Sequence, residues 1–275
     1  MVELKFDEIG YWSEIKLDII KNYAQAYATI LAKQTYLKTA YIDAFAGAGR
    51  HISKTTREII PGSPLNALSI EPPFNEYYFI DIEQSRVEAL VAISRTRPNV
   101  HVLEGDCNEK LINEVFPKVR WEDYKRGLCL LDPYGLHLNW EVLKKAGEMK
   151  SVEIFLNFPA MDMNRNVFWK NFDLVDKANI ERMNLFWGDE SWRAAAYETT
   201  QDLFGERIEK APNEVIAEAF QQRLKQVAGF KFVPNPLPMK NTKGAIVYYL
   251  FFASHNDTGQ RIATDIFNKY RRKGF

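Results

Sequence analysis

Acidic and small residues follow each apolar segment that the sequence predicts to be a strand. The first segment runs into Asp43-Ala44-Phe45-Ala46-Gly47-Ala48-Gly49, and the next two end in Asp81 and in Gly105-Asp106-Cys107-Asn108. Small residues let a backbone approach a ligand closely. An acid suits the two hydroxyls of a ribose, and an acid or amide can accept a hydrogen bond from an adenine amine. The fourth and fifth segments end in Asp132-Pro133-Tyr134-Gly135 and Asn157-Phe158-Pro159. Each signal has an ordinary alternative, since Gly-x-Gly also forms tight turns and Asp81 could cap a helix.

Strands and helices alternate in the part of the chain that carries these motifs. Residues 12–31 form an amphipathic helical pattern, with apolar side chains every three to four positions. Continuous apolar runs follow at 41–45, 77–80, 100–103, 128–131 and 152–158, with helical patterns between them. Such strands favour a doubly wound, Rossmann-like α/β fold with a mostly parallel sheet covered on both faces. Ligands of such sheets bind beyond the carboxyl ends of the strands.

The alternation stops after Pro159, and this change divides the chain. We predict an N-terminal helical segment, 1–35, packed on a core formed by 36–159 and 230–275. Residues 160–229 are predicted to be a helical insertion before the last two strands, placed at 230–233 and 245–253. The aromatic residues Trp169, Trp187 and Trp192 of the insertion are expected in its core. A substrate lid or a docking face is the alternative.

Composition excludes several classes of protein. Lys and Arg number 36, equal to Asp and Glu, which argues against a protein that coats duplex nucleic acid but leaves room for a local basic groove. The two cysteines, Cys107 and Cys129, are too few for a disulfide framework or a four-cysteine zinc site. The four histidines lack companions at metal-ligand spacing, so no metal is expected. No apolar run is long enough to span a membrane, and the N-terminus lacks a signal-peptide pattern, so the prediction is a cytoplasmic protein with no membrane association.

The order of the strand-end motifs resembles that of class I S-adenosylmethionine-dependent methyltransferases. In that family Phe45-Ala46-Gly47-Ala48-Gly49 would be the first motif, Asp81 the ribose-binding acid and Asp106 the acid on the adenine side. The resemblance implies S-adenosylmethionine as cofactor. The positions that it assigns to cofactor binding are Asp43, Phe45, Ala46, Gly47, Gly49, Asp81, Asp106 and Cys107.

A nicotinamide-type dinucleotide domain is the competing interpretation. That fingerprint needs Gly-x-Gly-x-x-Gly leading directly into a helix, whose N-terminus binds a pyrophosphate. Here Gly47-Ala48-Gly49 has no third glycine, and Ser63-Pro64 is the predicted helix start. Residues 50–62 therefore form an inserted segment, expected either to cover the cofactor or to be an ordinary surface loop.

Asp132-Pro133-Tyr134-Gly135 is the motif with the most specific chemistry. It is similar to the Asp-Pro-Pro-Tyr signature of enzymes that methylate amines of nucleic-acid bases. It is closer to the Asp-Pro-Phe/Tyr-Gly of enzymes that methylate the exocyclic amine of guanine in tRNA. An exocyclic amine is a poor nucleophile because its lone pair is delocalised into the ring. A carboxylate and a backbone carbonyl that accept its two hydrogens can direct that lone pair towards the methyl group.

The motif assigns roles to individual residues. Asp132 would accept the amine hydrogen, with Pro133 in the same turn, and Tyr134 would stack on the extruded base. The alternative is that Asp132 caps a turn and Tyr134 is a core residue. The expected substrate-binding positions are Gly135, His137, Asn157 and Arg165. His137 could equally be a partly exposed residue before a helix, and Asn157 could merely satisfy backbone groups.

The motifs along the whole chain resemble the three-Cys-motif partner protein family (TcmP). The segments that carry this resemblance are 6–17, 41–49, 62–64, 132–136, 157–159 and 243–252. The family name implies a partner protein with three clustered cysteines, which itself resembles a radical S-adenosylmethionine protein. Lys16 belongs to the family pattern and could face the site, although a solvated lysine on an amphipathic helix is the simpler account.

Two functions are therefore expected. The first is methyl transfer to a nitrogen of a nucleic-acid base, in DNA or RNA. The second is an accessory role as an S-adenosylmethionine-binding partner of the three-cysteine protein.

Overall fold

The computed structural model describes residues 6–202 and 205–274. Its strands are β1 (Asp7–Ile9), β2 (Lys38–Asp43), β3 (Arg50–Ser53), β4 (Ile59–Pro61), β5 (Glu76–Asp81), β6 (Val100–Glu104), β7 (Lys125–Leu131), β8 (Val152–Phe158), β9 (Tyr197–Asp202), β10 (Gly205–Lys210), β11 (Leu237–Lys240) and β12 (Ile246–Ala253). Its helices are α1 (Tyr11–Leu31), α2 (Ser63–Leu68), α3 (Gln84–Ser94), α4 (Cys107–Lys110), α5 (Trp140–Met149), α6 (Ala160–Asn166), α7 (Lys177–Trp187), α8 (Trp192–Ala196), α9 (Asn213–Gln226) and α10 (Asp257–Arg272).

A seven-stranded sheet organises the molecule, in the order β11-β12-β8-β7-β2-β5-β6. The pairs β8–β7, β7–β2, β2–β5 and β5–β6 are parallel, whereas β12 is antiparallel to both β8 and β11. The α/β fold with a mostly parallel central sheet is therefore confirmed. The strands β2, β7 and β8 are buried along nearly their whole length because helices cover both faces of the sheet, whereas β6 at its edge is partly exposed.

Alternate residues of each central strand enter two different cores. Ile42 of β2 and Ile154 of β8 belong to a cluster that α5, α7 and α9 cover. Tyr41 of β2 and Phe155 of β8 belong to the opposite cluster, which α1, α3 and α10 cover. Side chains point alternately to the two faces of a strand, so this division follows directly from the apolar runs.

The topology departs from that of a dinucleotide-binding domain. Numbered as the chain visits them, the seven strands lie in the order 3-2-1-4-5-7-6, since β12 is inserted between β8 and β11. The dinucleotide order is 3-2-1-4-5-6, with no such antiparallel strand. The strand order reverses between β2 and β7, and their carboxyl ends carry the Gly-rich turn and the Asp132 motif.

Three expectations about local structure are wrong. The segment 160–229 is not all helical, because β9 and β10 form an antiparallel hairpin within it. Residues 230–233 form no strand and contribute only an isolated bridge at Phe232. The strand before β12 is instead β11, which contains Pro238 and lies in the segment that the sequence pattern assigns to a connection. β11 lies at the edge of the sheet, where a proline without an N–H is tolerated.

The inserted segment 50–62 is also more ordered than a loop. It forms β3 and β4, which pair with each other, and β3 also pairs with the N-terminal strand β1. The short sheet β1-β3-β4 therefore joins the N-terminal segment to the region after the Gly-rich turn. No described helix is long and apolar enough to cross a membrane.

Candidate functional site

Two cavities open at the carboxyl ends of the parallel strands. The larger, of about 520 Å³, lies beside Asp132 and Asn157, and the smaller, of about 400 Å³, lies beside Asp81 and Asp106. Phe45 and Tyr134 line both cavities. Each volume is within the usual range of small-molecule sites, about 300–1,000 Å³. The cavities can therefore hold two parts of one ligand, or a ligand and a second reactant.

Most of the residues predicted for the site line one of these cavities. Those that do are Phe45, Ala46, Gly47, Asp81, Asp106, Cys107, Asp132, Pro133, Tyr134, Gly135, His137, Asn157 and Arg165. Asp43 and Gly49 do not. Asp43 is fully buried beneath the turn, and burial raises the pKa of its carboxyl to about 7, although the Ser63 hydroxyl opposes the rise.

The Gly-rich turn is fixed by the acid at the end of the neighbouring strand. Gly47 adopts a φ of 62°, and a side chain there would meet open space instead of protein. Its backbone N–H donates to Asp81 Oδ2 at 2.8 Å. Asp81 Oδ1 accepts a second bond from the N–H of Glu83, so the carboxylate, which is 5% exposed, is held by two backbone groups. Lone pairs remain on both oxygens for ligand hydroxyls.

The end of β6 provides the opposite wall of the smaller cavity. Asp106 caps α4, with Oδ1 accepting from the N–H groups of Asn108 and Glu109. Cys107 is buried, and burial raises the pKa of its thiol to about 12. This side chain is therefore a neutral wall group and not a nucleophile.

Asp132 lies at the centre of a polar cluster in the larger cavity. Lys16 of α1 forms an ion pair with Asp132 Oδ2, and Asn157 at the end of β8 donates from Nδ2 to Oδ1 at 2.7 Å. The oxygen of the Asn157 amide, Oδ1, is buried and has no hydrogen-bond partner among the described residues. A buried amide oxygen without a donor is costly, so this atom is suited to receive an N–H from a ligand.

Lys16 is a site residue for which the simpler of two sequence interpretations fails. The sequence pattern makes it a solvated lysine, but its side chain is only 7% exposed and lines the larger cavity. The solvated interpretation is wrong because the N-terminal part of α1, with Ser13, Lys16 and Leu17, lines the cavity at the carboxyl ends of the strands.

Tyr134 is held between the two cavities by charged partners. Its hydroxyl accepts from Arg86 Nη1 at 2.8 Å and lies 3.3 Å from Asp7 Oδ2, to which it can donate. Burial raises the pKa of this phenol to about 12, with Asp7 adding to the effect. The residue is 58% exposed, so Tyr134 is not a core residue and presents an aromatic face at the site.

The N-terminal segment and the inserted segment complete the larger cavity. Asp7 of β1 and His51 of β3 line it, together with Tyr248 of β12. Burial lowers the pKa of His51, so this imidazole is neutral at pH 7. The inserted segment is therefore part of the wall of the site.

The remaining substrate-side predictions differ in their surroundings. Gly135 adopts a φ of 56°, and a Cβ there would approach Asp162 Oδ2 to 2.9 Å. His137 and Arg165 are exposed at the rims of the smaller and larger cavities.

Trp187 and Trp192 pack in the core as expected, whereas Trp169 is 42% exposed. Among the described residues, no three His, Cys, Asp or Glu side chains are arranged to hold a metal ion.

Comparisons with known proteins give distant structural likenesses only. No protein-family model matches the chain, and no curated protein matches its sequence, so membership of the three-Cys-motif partner family stays a prediction. The chain resembles protein LPL1258 of Legionella pneumophila, at 12% identity and a TM-score of 0.45, over 92% of each chain.

Two further likenesses are to proteins described as methyltransferases. One is a candidate methyltransferase from Thermobifida fusca, at 13% identity and a TM-score of 0.40, over 86% of this chain and 80% of that one. The other is a methyltransferase of Aquifex aeolicus that depends on S-adenosylmethionine, at 14% identity and a TM-score of 0.32, over 90% and 97%. The functional argument below is based on the site.

Proposed function

We propose that this protein is an S-adenosylmethionine-dependent methyltransferase that acts on a nitrogen of a nucleic-acid base. The observation that carries the proposal is the position of Asp132, which Lys16 and Asn157 hold at the wall of a cavity adjoining a second one. The second cavity has acids at the ends of β5 and β6. An acceptor and a donor can thus meet at Tyr134 and Phe45, which line both cavities.

The residues of the smaller cavity fit the adenosine half of the cofactor. Asp81 offers carboxylate oxygens for two hydroxyls. Gly47, in the wall of the adjoining larger cavity, donates its N–H to Asp81 and leaves a space that any side chain would fill. Asp106 lies where an adenine amine could be bound. When bound, the cofactor supplies an electrophilic methyl group on a sulfonium. The antiparallel strand β12 and the lack of a third glycine both disfavour a dinucleotide in this place.

The residues of the larger cavity fit an amine that is to be methylated. Asp132 can accept one N–H of the amine, and the free oxygen of Asn157 can accept another. The backbone carbonyl of the Asp132-Pro133 turn is a further acceptor. Lys16 balances the charge of Asp132 and restrains its carboxylate, so the acceptors are placed before the substrate arrives.

Tyr134 is assigned to the base. Its hydroxyl is anchored by Arg86 and Asp7, which limits rotation of the ring, and its exposed face is free to stack on an extruded base. Each base has such a face, so the ring selects for a planar heterocycle and not for one sequence.

Transfer of labelled methyl groups to nucleic acid tests the proposal. Purified protein is incubated with methyl-tritiated S-adenosylmethionine and either total RNA or heat-denatured DNA, and acid-precipitable label is counted. Wild type is expected to label one of them, and Asp132→Ala to lose about 10²-fold or more while still binding S-adenosylhomocysteine. Equal labelling by Asp132→Ala would refute the role of this carboxylate, and no labelling by wild type would refute the substrate class.

A further inference from the structure

Three lysines surround a cavity at the opposite end of the main sheet, where the amino-terminal ends of the parallel strands lie. This cavity, of about 270 Å³, is lined by Lys38, Lys118 and Lys125 together with Asn75 and Tyr78. Lys38 begins β2 and Lys125 begins β7, and the two are direct partners in the parallel register. Their side chains therefore leave the same face of the sheet. The Lys118 ammonium lies 5.8 Å from the centre of the Tyr78 ring.

The described part of the chain balances the positive charge of this cavity only in part. None of the three lysines forms an ion pair there, and Glu76, which lies 2.7 Å from His101, adds one carboxylate to the cavity wall, so two positive charges are in excess. Like charges directly opposite each other on neighbouring strands destabilise a sheet. An anion in the cavity would remove this repulsion, so its chemistry is that of a phosphate site.

Exposed aromatic rings adjoin the lysines at the same edge. Tyr36 is 63% exposed, Tyr124 59% and Trp121 48%. Tyr36 and Tyr124 meet edge to face at 6.0 Å, and the Arg126 guanidinium lies 3.4 Å above the Trp121 ring. The N–H of Lys38 donates to the Tyr124 carbonyl, which joins the aromatic residues to the lysine cavity.

Tyr124 occupies a backbone conformation that favours glycine or asparagine. Its φ is 57°, in the left-handed region, where a bulky side chain is uncommon. Most of the residue is exposed, and its ring meets the Tyr36 ring edge to face. Such conformations are concentrated at functional sites, so Tyr124 supports a binding role for this edge.

We propose that the surface at the amino-terminal ends of the parallel strands binds single-stranded nucleic acid. The lysine cavity would take backbone phosphates, and Tyr36, Trp121 and Tyr124 would stack on successive bases. Alternating cations and exposed rings are what non-specific single-strand binding requires. No residue is shared with the two cavities at the other edge, so the surface is separate from the site of methyl transfer.

Salt-dependent binding of a fluorescein-labelled dodecathymidylate tests this surface. Wild type is expected to bind, with an affinity that falls as salt rises. Lys38→Ala/Lys125→Ala should bind more weakly, and its slope of log affinity against log salt should be smaller by about 1.4, because each phosphate that is no longer neutralised lowers the slope by roughly 0.7. Trp121→Ala should bind about 10-fold more weakly with little change in slope, because it removes stacking and not charge.

The matched control is Lys177→Ala/Lys243→Ala, which removes two exposed lysines outside the proposed surface and should behave as wild type. The proposal is overturned if wild type does not bind, or if the two double variants have the same slope. It is also overturned if thymidine monophosphate or phosphatidylserine vesicles bind as tightly as the oligonucleotide. All variants should bind S-adenosylhomocysteine as wild type does. A negative result with the oligonucleotide would therefore overturn this proposal without contradicting the proposed methyl transfer.

Discussion

Lys16 and Asp132, separated by 116 positions in the sequence, form an ion pair that joins α1 to the carboxyl end of β7. The lysine side chain is 7% exposed and the aspartate side chain 28%. The geometry of the site therefore depends on where α1 packs, because this helix carries the cation that pairs with Asp132.

The first prediction concerns the coupling of this pair. Lys16→Met keeps the length of the side chain but leaves a partly buried carboxylate without its cation. We expect a loss of about 1–3 kcal/mol in the free energy of unfolding, below the usual 3–5 for a fully buried pair because Asp132 is partly solvated. Urea denaturation of Lys16→Met, Asp132→Asn and the double variant measures the coupling. Strictly additive effects would contradict the pair, and Lys21→Met, at an exposed position of the same helix, is the control.

The second prediction separates backbone strain from blockage of the site. Gly47 and Gly244 both have positive φ, of 62° and 79°, and a Cβ at either would meet no protein atom within 4 Å. Alanine at either position should therefore cost a similar amount, about 1–2 kcal/mol, in stability. Gly47 lines the larger cavity and donates its N–H to Asp81 in the smaller one, whereas Gly244 lines neither of the two. Calorimetry should show S-adenosylhomocysteine binding weakened at least about 10-fold in Gly47→Ala and unchanged in Gly244→Ala. Equal effects in the two variants would show that strain, and not blockage, is responsible.

The third prediction concerns the pH dependence of stability. Glu153 at the start of β8 is buried, and burial raises its pKa to about 7, although hydrogen bonds from Tyr23 and Ser254 oppose the rise. The folded state therefore keeps this proton to a higher pH than the unfolded state, whose carboxyl titrates near 4.5. Stability from this group is complete below pH 4.5 and is lost as the pH rises towards 7. The change in pKa corresponds to about 3 kcal/mol.

Glu153→Gln isolates this effect from Asp43, whose pKa is also raised. The variant should lack the part of the stability loss between about pH 5 and pH 8 that Glu153 causes, measured by urea denaturation at each pH. Glu148→Gln, at a side chain that is 54% exposed, should follow wild type. Parallel curves for wild type and Glu153→Gln would contradict the raised pKa.

The fold could be predicted where the apolar pattern is continuous. The central strands and the helices between them were found because buried parallel strands consist of apolar runs. The strands β1, β3 and β4 could not be predicted, because they are only three or four residues long. β11 was missed because Pro238 signals a turn in isolation, and only its place at the sheet edge makes it acceptable.

The site could be predicted where it lies at strand ends. Asp81, Asp106, Asp132 and Asn157 each follow a predicted strand, and the parallel sheet brings them to one edge. Lys16, Asp7 and Arg86 could not be placed this way, since their positions depend on how helices and the small sheet pack on that edge. A partner with three clustered cysteines stays a prediction, because no described contact bears on it.

Calorimetric titration with S-adenosylhomocysteine tests the central claim most directly. Wild type is expected to bind with micromolar affinity, and Asp81→Ala to lose that binding because it removes both the acceptor for ligand hydroxyls and the bond that fixes Gly47. Glu104→Ala, an exposed acid at the end of β6, should bind as wild type. Absence of binding to the wild-type protein, or equal binding by Asp81→Ala, would contradict the assignment of the smaller cavity to the methyl donor.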